Sequence, residues 1–306
     1  MDIQSVAVLG AGTIGLSWAA LFRAAGLDVA VFDPRSDAAD SFASFWDGAR
    51  PALKALGLDQ EGAVSFYDDP AKAVQGCDFI QENAPERLAV KHDLYQRIEP
   101  ALGPDTLIGS STSGLTLGEL QAGFRDPSRL IIAHPFNPPH LIPLVELMGN
   151  ARTNDDALDR AEAFYHGLGK VCVRLEKEVP GHIANRLQAA VWREAISLAV
   201  EGVASVGDID KAMAYGPGLR WAAMGPNALF HLGGGPAGIR GFCEHLGGPF
   251  QSWWNDLGTP DLTDDVVTQL EKGVAQAMGT QSHGDLAALR DQLVLDFILA
   301  RRSNDA

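Results

Sequence analysis

The sequence predicts an α/β protein, a doubly wound and mostly parallel sheet followed by an all-helical C-terminal domain. Three observations predict it. Short apolar runs alternate with helical patterns through the first half of the chain. A glycine-rich turn follows the first of those runs at once. Beyond Val179-Pro180-Gly181 no strand pattern recurs. Alternating β and α segments argue for a parallel sheet covered on both faces. The expected domains are therefore residues 1–180 and 181–306.

Taken in order, Ser5 to Leu9 is an apolar strand, and Gly10-Ala-Gly12-Thr-Ile-Gly15 follows it. Ile14 to Ala25 repeats apolar residues at helical spacing and ends at Gly26. Leu27 to Phe32 is a second strand, closing on Asp33-Pro34. Ser36 to Leu56 is helical, Ala63 to Tyr67 and Cys77 to Gln81 are strands, and Arg87 to Leu102 is helical. Thr106 to Gly109, Leu130 to Ala133, Leu144 to Met148 and Lys170 to Leu175 are further strands, with a helix over Asp155 to Leu168. Helical spacing then covers Ile183 to Val206, Ile209 to Tyr215, Thr263 to Met278 and Gly284 to Arg301. Glycine- and proline-rich turns, among them Tyr215-Gly-Pro-Gly218 and Gly233-Gly-Gly-Pro236, are expected between them.

The chain has 306 residues and a formal charge of −15, with 46% hydrophobic residues. A surface this acidic repels phosphate backbones, so no nucleic-acid partner is expected. No apolar run is long enough for a membrane span, and no secretory signal is visible. Cys77, Cys172 and Cys243 have no paired spacing and read as buried small apolar residues in a reducing, cytoplasmic compartment. No His/Cys/Asp cluster has metal-ligand spacing, and no metal is expected.

The glycines have separate physical tasks. Gly10 permits the tight turn, Gly12 lets backbone approach a pyrophosphate, and Gly15 lets helix pack on strand. Thr13 and Ile14 then open a helix whose free N–H groups favour an anion. Asp33 closes the next strand, where it can accept hydrogen bonds from both ribose hydroxyls and repel a 2′-phosphate. The unit is thus a Rossmann-type dinucleotide fingerprint that favours NAD, although Arg35 stands close enough to hold a phosphate.

A second constellation lies in Ala133-His-Pro-Phe-Asn-Pro-Pro-His-Leu-Ile-Pro-Leu-Val-Glu-Leu-Met148. His134 ends one apolar run and Glu146 interrupts another. A carboxylate among Leu144, Val145 and Leu147 is costly to bury without a partner. If the two face each other, the carboxylate fixes the imidazole's tautomer and stabilises its cation, which makes a general base for an alcohol. His92, His166, His245 and His283 read as surface residues, and His140 and His182 have no evident partner.

Ser110-Ser-Thr-Ser113-Gly follows a strand, and Gly181-His-Ile-Ala-Asn185-Arg186 opens the helical domain. With these in place the whole chain resembles the 3-hydroxyacyl-CoA dehydrogenase family, and more closely its branch of lambda-crystallin (L-gulonate 3-dehydrogenase) and carnitine dehydrogenase. The resemblance implies a catalytic dyad at His134 and Glu146, with Ser113 and Asn185 on the substrate oxygen. It implies cofactor contacts at Glu86, Lys91 and Asn137, and a homodimer built through the helical domain. Dehydrogenases resembling the 3-hydroxyisobutyrate and 6-phosphogluconate enzymes use a lysine four residues before an asparagine. Here that residue is Gly181, so that reading fails.

The implied reaction is NAD-dependent oxidation of a small 3-hydroxy acid to the 3-oxo acid, read first as L-gulonate 3-dehydrogenase-like. The alternatives are a carnitine 3-dehydrogenase, a 3-hydroxyacyl-CoA dehydrogenase, and a non-enzymatic, crystallin-like NAD-binding protein. Residues Ser36 to Tyr67 are short and acidic where CoA-specific relatives are longer and more basic, which disfavours a CoA thioester. Arg220 is the candidate partner for a substrate carboxylate, with pairing across a helix interface as its plainer role. Trp192, Trp221, Trp253 and Trp254 could cage a quaternary ammonium or serve packing.

Overall fold

A computed structural model describes residues 3–305. The chain divides into two compact units, residues 1–186 and 187–306. The break falls at Arg186–Leu187, inside the helix that opens the second unit, rather than at Gly181.

The first unit is built on eight strands: β1 Ser5–Leu9, β2 Asp28–Phe32, β3 Val64–Tyr67, β4 Phe79–Glu82, β5 Leu107–Ser110, β6 Leu130–Pro135, β7 Leu144–Met148 and β8 Val171–Arg174. They form one sheet in the order β3-β2-β1-β4-β5-β6-β7-β8. Every neighbouring pair is parallel except β6 and β7. Helices α1 Thr13–Ala24, α2 Ala38–Ala55, α3 Pro70–Val74, α4 Leu88–Ile98, α5 Leu117–Gln121 and α6 Ala157–Gly167 connect the strands. Two apolar clusters result. One gathers Val6, Val8, Trp18, Phe22 and Tyr165. The other gathers Ala7, Leu9, Ile80, Tyr95 and Ile108, because alternate residues of one strand point to opposite faces. Strand order reverses between β1 and β4, and at such a switch point a crevice opens beyond the carboxyl ends of the strands.

Helices α3 and α5 are not among the elements expected from periodicity, since each is five residues long and too short to show a period. Both are set by their ends instead. Asp69 accepts from the Ala71 N–H with Pro70 at the first position, and Thr116 with Glu119 makes a capping box.

The second unit consists of helices: α7 Ala184–Val200 (entered from the first unit), α8 Val206–Tyr215, α9 Pro217–Ala223, α10 Pro226–Gly233, α11 Gly238–Asp256, α12 Asp264–Met278 and α13 His283–Asp305. The stretch between Tyr215 and Thr263, where glycine- and proline-rich turns are expected, is therefore largely helical. Pro217 and Pro226 sit at the starts of α9 and α10, where a missing N–H costs nothing, and Pro249 lies within α11. Among the described residues no helix is long and apolar enough to cross a membrane.

Candidate active site

The glycine loop is shaped to receive a phosphate. Gly10 has φ 95, and a side chain there would meet the Asn83 carbonyl. At Gly15 a Cβ would lie 1.8 Å from the Gly10 oxygen, so helix and loop touch backbone to backbone. Around Gly12 a Cβ would meet nothing within 4 Å, and no side chain caps α1. The helix start thus keeps free N–H groups facing open space, as a pyrophosphate requires.

Asp33 ties this loop to β2. Its Oδ2 accepts from the Ala11 N–H at 2.7 Å, and its Oδ1 accepts from the Arg35 N–H and Nε–H at 2.9 and 3.0 Å. Three donors leave room on a carboxylate with roughly four lone-pair sites for a ribose hydroxyl. Arg35 also donates to the Ala11 carbonyl at 2.9 Å, so its guanidinium is turned back onto the loop rather than held out for a 2′-phosphate. A cavity of about 600 Å³ opens here, lined among others by Gly12, Phe32, Asp33, Asn83 and Arg97. These residues fit an adenine dinucleotide.

At the end of β4 lies a buried network that sequence reasoning passes over. Glu82, fully buried, accepts from Lys91 Nζ at 2.7 Å, the Ala84 N–H at 2.6 Å, Tyr95 Oη–H at 2.8 Å and Ser110 Oγ–H at 2.6 Å. Burial, then the Glu82 charge, pushes the Tyr95 phenol well above its usual range, so it stays a donor. Lys91 is 1% exposed and gives its ammonium to Glu82, the Ala84 carbonyl and, at 3.6 Å, Glu86. It reads here as a buried cation that fixes the cofactor-side loop from beneath. Only the acid ending a buried strand could have signalled this network.

Glu86 in turn shapes the serine loop. Its Oε1 accepts from Thr112 Oγ1–H and from the N–H groups of Ser113 and Gly114 at 2.9 and 2.8 Å. Burial raises its pKa, but the Thr112 and backbone hydrogen bonds and the Lys91 charge outweigh that and hold it below the ordinary value. Ser113 and Asn137 are exposed, and Asn185 is half-buried.

The antiparallel pairing of β6 and β7 sets His134 directly opposite Glu146. His134 Nδ1 lies 2.8 Å from Glu146 Oε2. The other carboxylate oxygen accepts from the Ile183 and Ala184 N–H groups at 2.8 and 3.0 Å, at the entry to α7. Burial would raise the Glu146 pKa. The His134 bond and the two backbone donors overcome it and leave the pKa lowered. An ionised carboxylate only accepts, so Nδ1 carries the hydrogen and Nε2 keeps its lone pair.

Three expectations need correction. His140 does have a partner, since its Nδ1 lies 2.8 Å from Ser17 Oγ. His182 has one too, with its Nε2 3.0 Å from the Thr112 carbonyl. Cys243 is exposed and Cys172 half-buried, so only Cys77 is a fully buried cysteine, its thiol pushed up to about 11 by burial and then by Asp78. Among the described residues no group of three or more His, Cys, Asp or Glu could hold a metal.

Fold and site together define a class, the nicotinamide-dependent dehydrogenases. Comparison with known proteins gives the family. Residues 5–179 match the 3-hydroxyacyl-CoA dehydrogenase NAD-binding domain, and residues 181–284 match the family's C-terminal domain. The chain is 44% identical over 303 residues to an L-carnitine dehydrogenase of Streptomyces griseus subsp. griseus, covering 98% of this chain and 90% of that one. It is 40% identical over 308 residues to an L-carnitine dehydrogenase of Pseudomonas putida, covering 100% and 96%. Among solved structures, an NAD+-dependent dismutase, 5-formyl-3-hydroxy-2-methylpyridine 4-carboxylic acid 5-dehydrogenase, aligns over 99% of both chains. Its TM-score is 0.82 at 31% identity. The chain belongs to the 3-hydroxyacyl-CoA dehydrogenase family and is an NAD-dependent dehydrogenase.

Proposed function

We propose that the protein oxidises L-carnitine, or a closely similar small 3-hydroxy acid, to the 3-oxo acid. The observation that carries an alcohol-oxidising role is the His134–Glu146 pair, with Nε2 left as the free basic nitrogen. Bound NAD+ supplies the hydride acceptor. His134 Nε2 takes the hydroxyl proton, and Glu146 stabilises the imidazolium that results. Ser113 and Asn185 orient the substrate oxygen, while Glu86 holds the serine loop and Lys91 holds the segment from Glu82 to Glu86. Asn137 stands on the cofactor side.

Between gulonate-like and carnitine-like substrates, the weight moves to carnitine. Full-length relatives at 40–44% identity carry that name. Charge supports it as well. A field from a net charge of −15 repels the phosphates of coenzyme A and the gulonate anion, whereas carnitine is a zwitterion with no net charge to be repelled. Arg220 is exposed and makes no ion pair among the described residues, which leaves its guanidinium available to a carboxylate. We further propose a homodimer, because the helical unit exposes large aromatic and aliphatic side chains that a second copy would cover.

The test is NADH formation with L-carnitine, L-gulonate, 3-hydroxybutyrate and 3-hydroxybutyryl-CoA. L-Carnitine is expected to give the highest kcat/KM. A preference for L-gulonate or the CoA ester overturns the substrate assignment, and NAD binding without turnover on any of them overturns the enzymatic one. In the same assay Arg220→Met is expected to raise KM, and an unchanged KM removes Arg220 from the site.

A further inference from the structure

His182 is the one non-glycine residue with a left-handed backbone among the described residues, at φ 50. It is also 3% exposed, with its Nδ1 buried and lacking any hydrogen-bond partner. Each feature costs stability. A side chain with a Cβ is disfavoured at positive φ, and an unpaired buried nitrogen forfeits its hydration. Glycine would take the same backbone without penalty. A residue that carries two such costs calls for a reason beyond the fold.

The reason lies in what the imidazole joins. A carbonyl can only accept, so the contact with Thr112 places the hydrogen on Nε2 and makes His182 the donor. Thr112 precedes Ser113 in the serine loop, and His182 stands three residues before Asn185 at the entry to α7. This single bond therefore links the two segments that carry the proposed ligands of the substrate oxygen. The same ring lies against His134, with centroids 4.9 Å apart and planes at 48°. The two residues that follow it give their N–H groups to Glu146. On the opposite side, Glu86 holds the N–H groups of Ser113 and Gly114.

We propose that His182 is a positioning residue, which sets Ser113 against Asn185 and steadies the His134 ring through its Nε2–H bond to the Thr112 carbonyl. This rests on reading the site as a hydroxy-acid dehydrogenase. His182 does not itself touch the reacting atoms. Its contribution is geometric, and misplacement of about 1 Å at a reacting centre can cost ~10²-fold in rate.

Two variants separate the bond from the ring. His182→Phe keeps an aromatic ring against His134 but has no donor. His182→Gln replaces the ring with an amide that can reach the same carbonyl. In His182→Phe, kcat is expected to fall between about 10- and 100-fold, with the Kd for NAD unchanged. Its Tm should stay within about 4 °C of wild type, a small shift on the scale of single substitutions. In His182→Gln, kcat should recover to within about threefold of wild type, a small part of the loss that misplacement causes. Wild-type kcat in His182→Phe overturns the proposal, and so does a His182→Gln variant as slow as the Phe one. Should His182→Phe fail to fold, a folded His182→Gln slowed more than tenfold still overturns it. If the wild-type protein forms no NADH from any hydroxy acid, the dehydrogenase reading has failed instead, and this proposal falls with it.

Discussion

The role proposed for His134 depends on one nitrogen being free. Glu146 occupies Nδ1, and the tautomer that this enforces leaves the Nε2 lone pair for an alcohol proton. Replacing His134 with Gln keeps a polar group of similar reach but removes the base. General acid–base help is worth about 10²–10⁴ in rate, so kcat for His134→Gln is expected to fall by that order. NAD affinity, which we assign to the loop at Gly10 to Gly15 and to Asp33, should be unaffected. Fluorescence titration with NADH beside steady-state assays checks both. A variant within threefold of wild-type kcat removes His134 as the base. This pair is legible in the amino-acid sequence, because a histidine and a glutamate each interrupt an apolar run and a buried charge needs a partner. His182 is not legible in that way. Nothing in periodicity or composition shows a left-handed backbone or an unpaired nitrogen, and its neighbour Asn185 is the more conspicuous residue of the same motif.

Among the elements, the antiparallel step from β6 to β7 does the most for the site. A parallel neighbour would have needed a long crossover before Glu146 could face His134, whereas a short return places them twelve residues apart in sequence and directly opposite in register. Glu146 then also serves the entry to α7, and Glu86 serves the serine loop. Both carboxyls sit below the ordinary glutamate value of 4.5, because hydrogen bonds to the charged forms outweigh burial. Groups with depressed pKa values stabilise the fold above the unfolded value, and that stability is lost as pH falls through the folded values. Thermal stability is therefore expected to be level at neutral pH and to fall on acidification below about pH 4.5. Glu146→Gln should make that fall shallower. Calorimetry across this range checks it, and a Tm that holds or rises on acidification contradicts it. The strands and long helices are legible from their periods. The short helices α3 and α5 and the glycine-rich α9 to α11 are not, since caps and proline placement define them rather than a repeating apolar face.

For the whole molecule, the second unit presents a physical problem that the proposed association would solve. Few of its described side chains are buried, Ile196, Ala199 and Leu295 among them, while Trp192, Leu232, Trp253, Trp254 and Phe297 are largely exposed and Tyr215 is 82% exposed. Trp253 and Trp254 pack on Phe250, with ring centroids 4.9 and 6.2 Å away, and extend that aromatic cluster to the surface. Monomers seldom expose contiguous apolar patches beyond a few hundred Å², whereas a stable interface buries roughly 1,200–2,000 Å² and favours Trp, Tyr and Phe. A second copy bringing the same face in twofold symmetry meets that need. Light scattering during size-exclusion chromatography is expected to give twice the chain mass. Trp253→Glu with Trp254→Glu should shift the protein toward monomer. Electrostatics sharpens the expectation. Each copy carries −15, so the two repel, and salt that screens the repulsion leaves apolar contact intact. The dimer should therefore tighten as salt is raised from low to physiological concentration. A dimer held by ion pairs would loosen instead, and a monomer at every salt concentration would leave the helical unit's apolar face without the partner proposed for it.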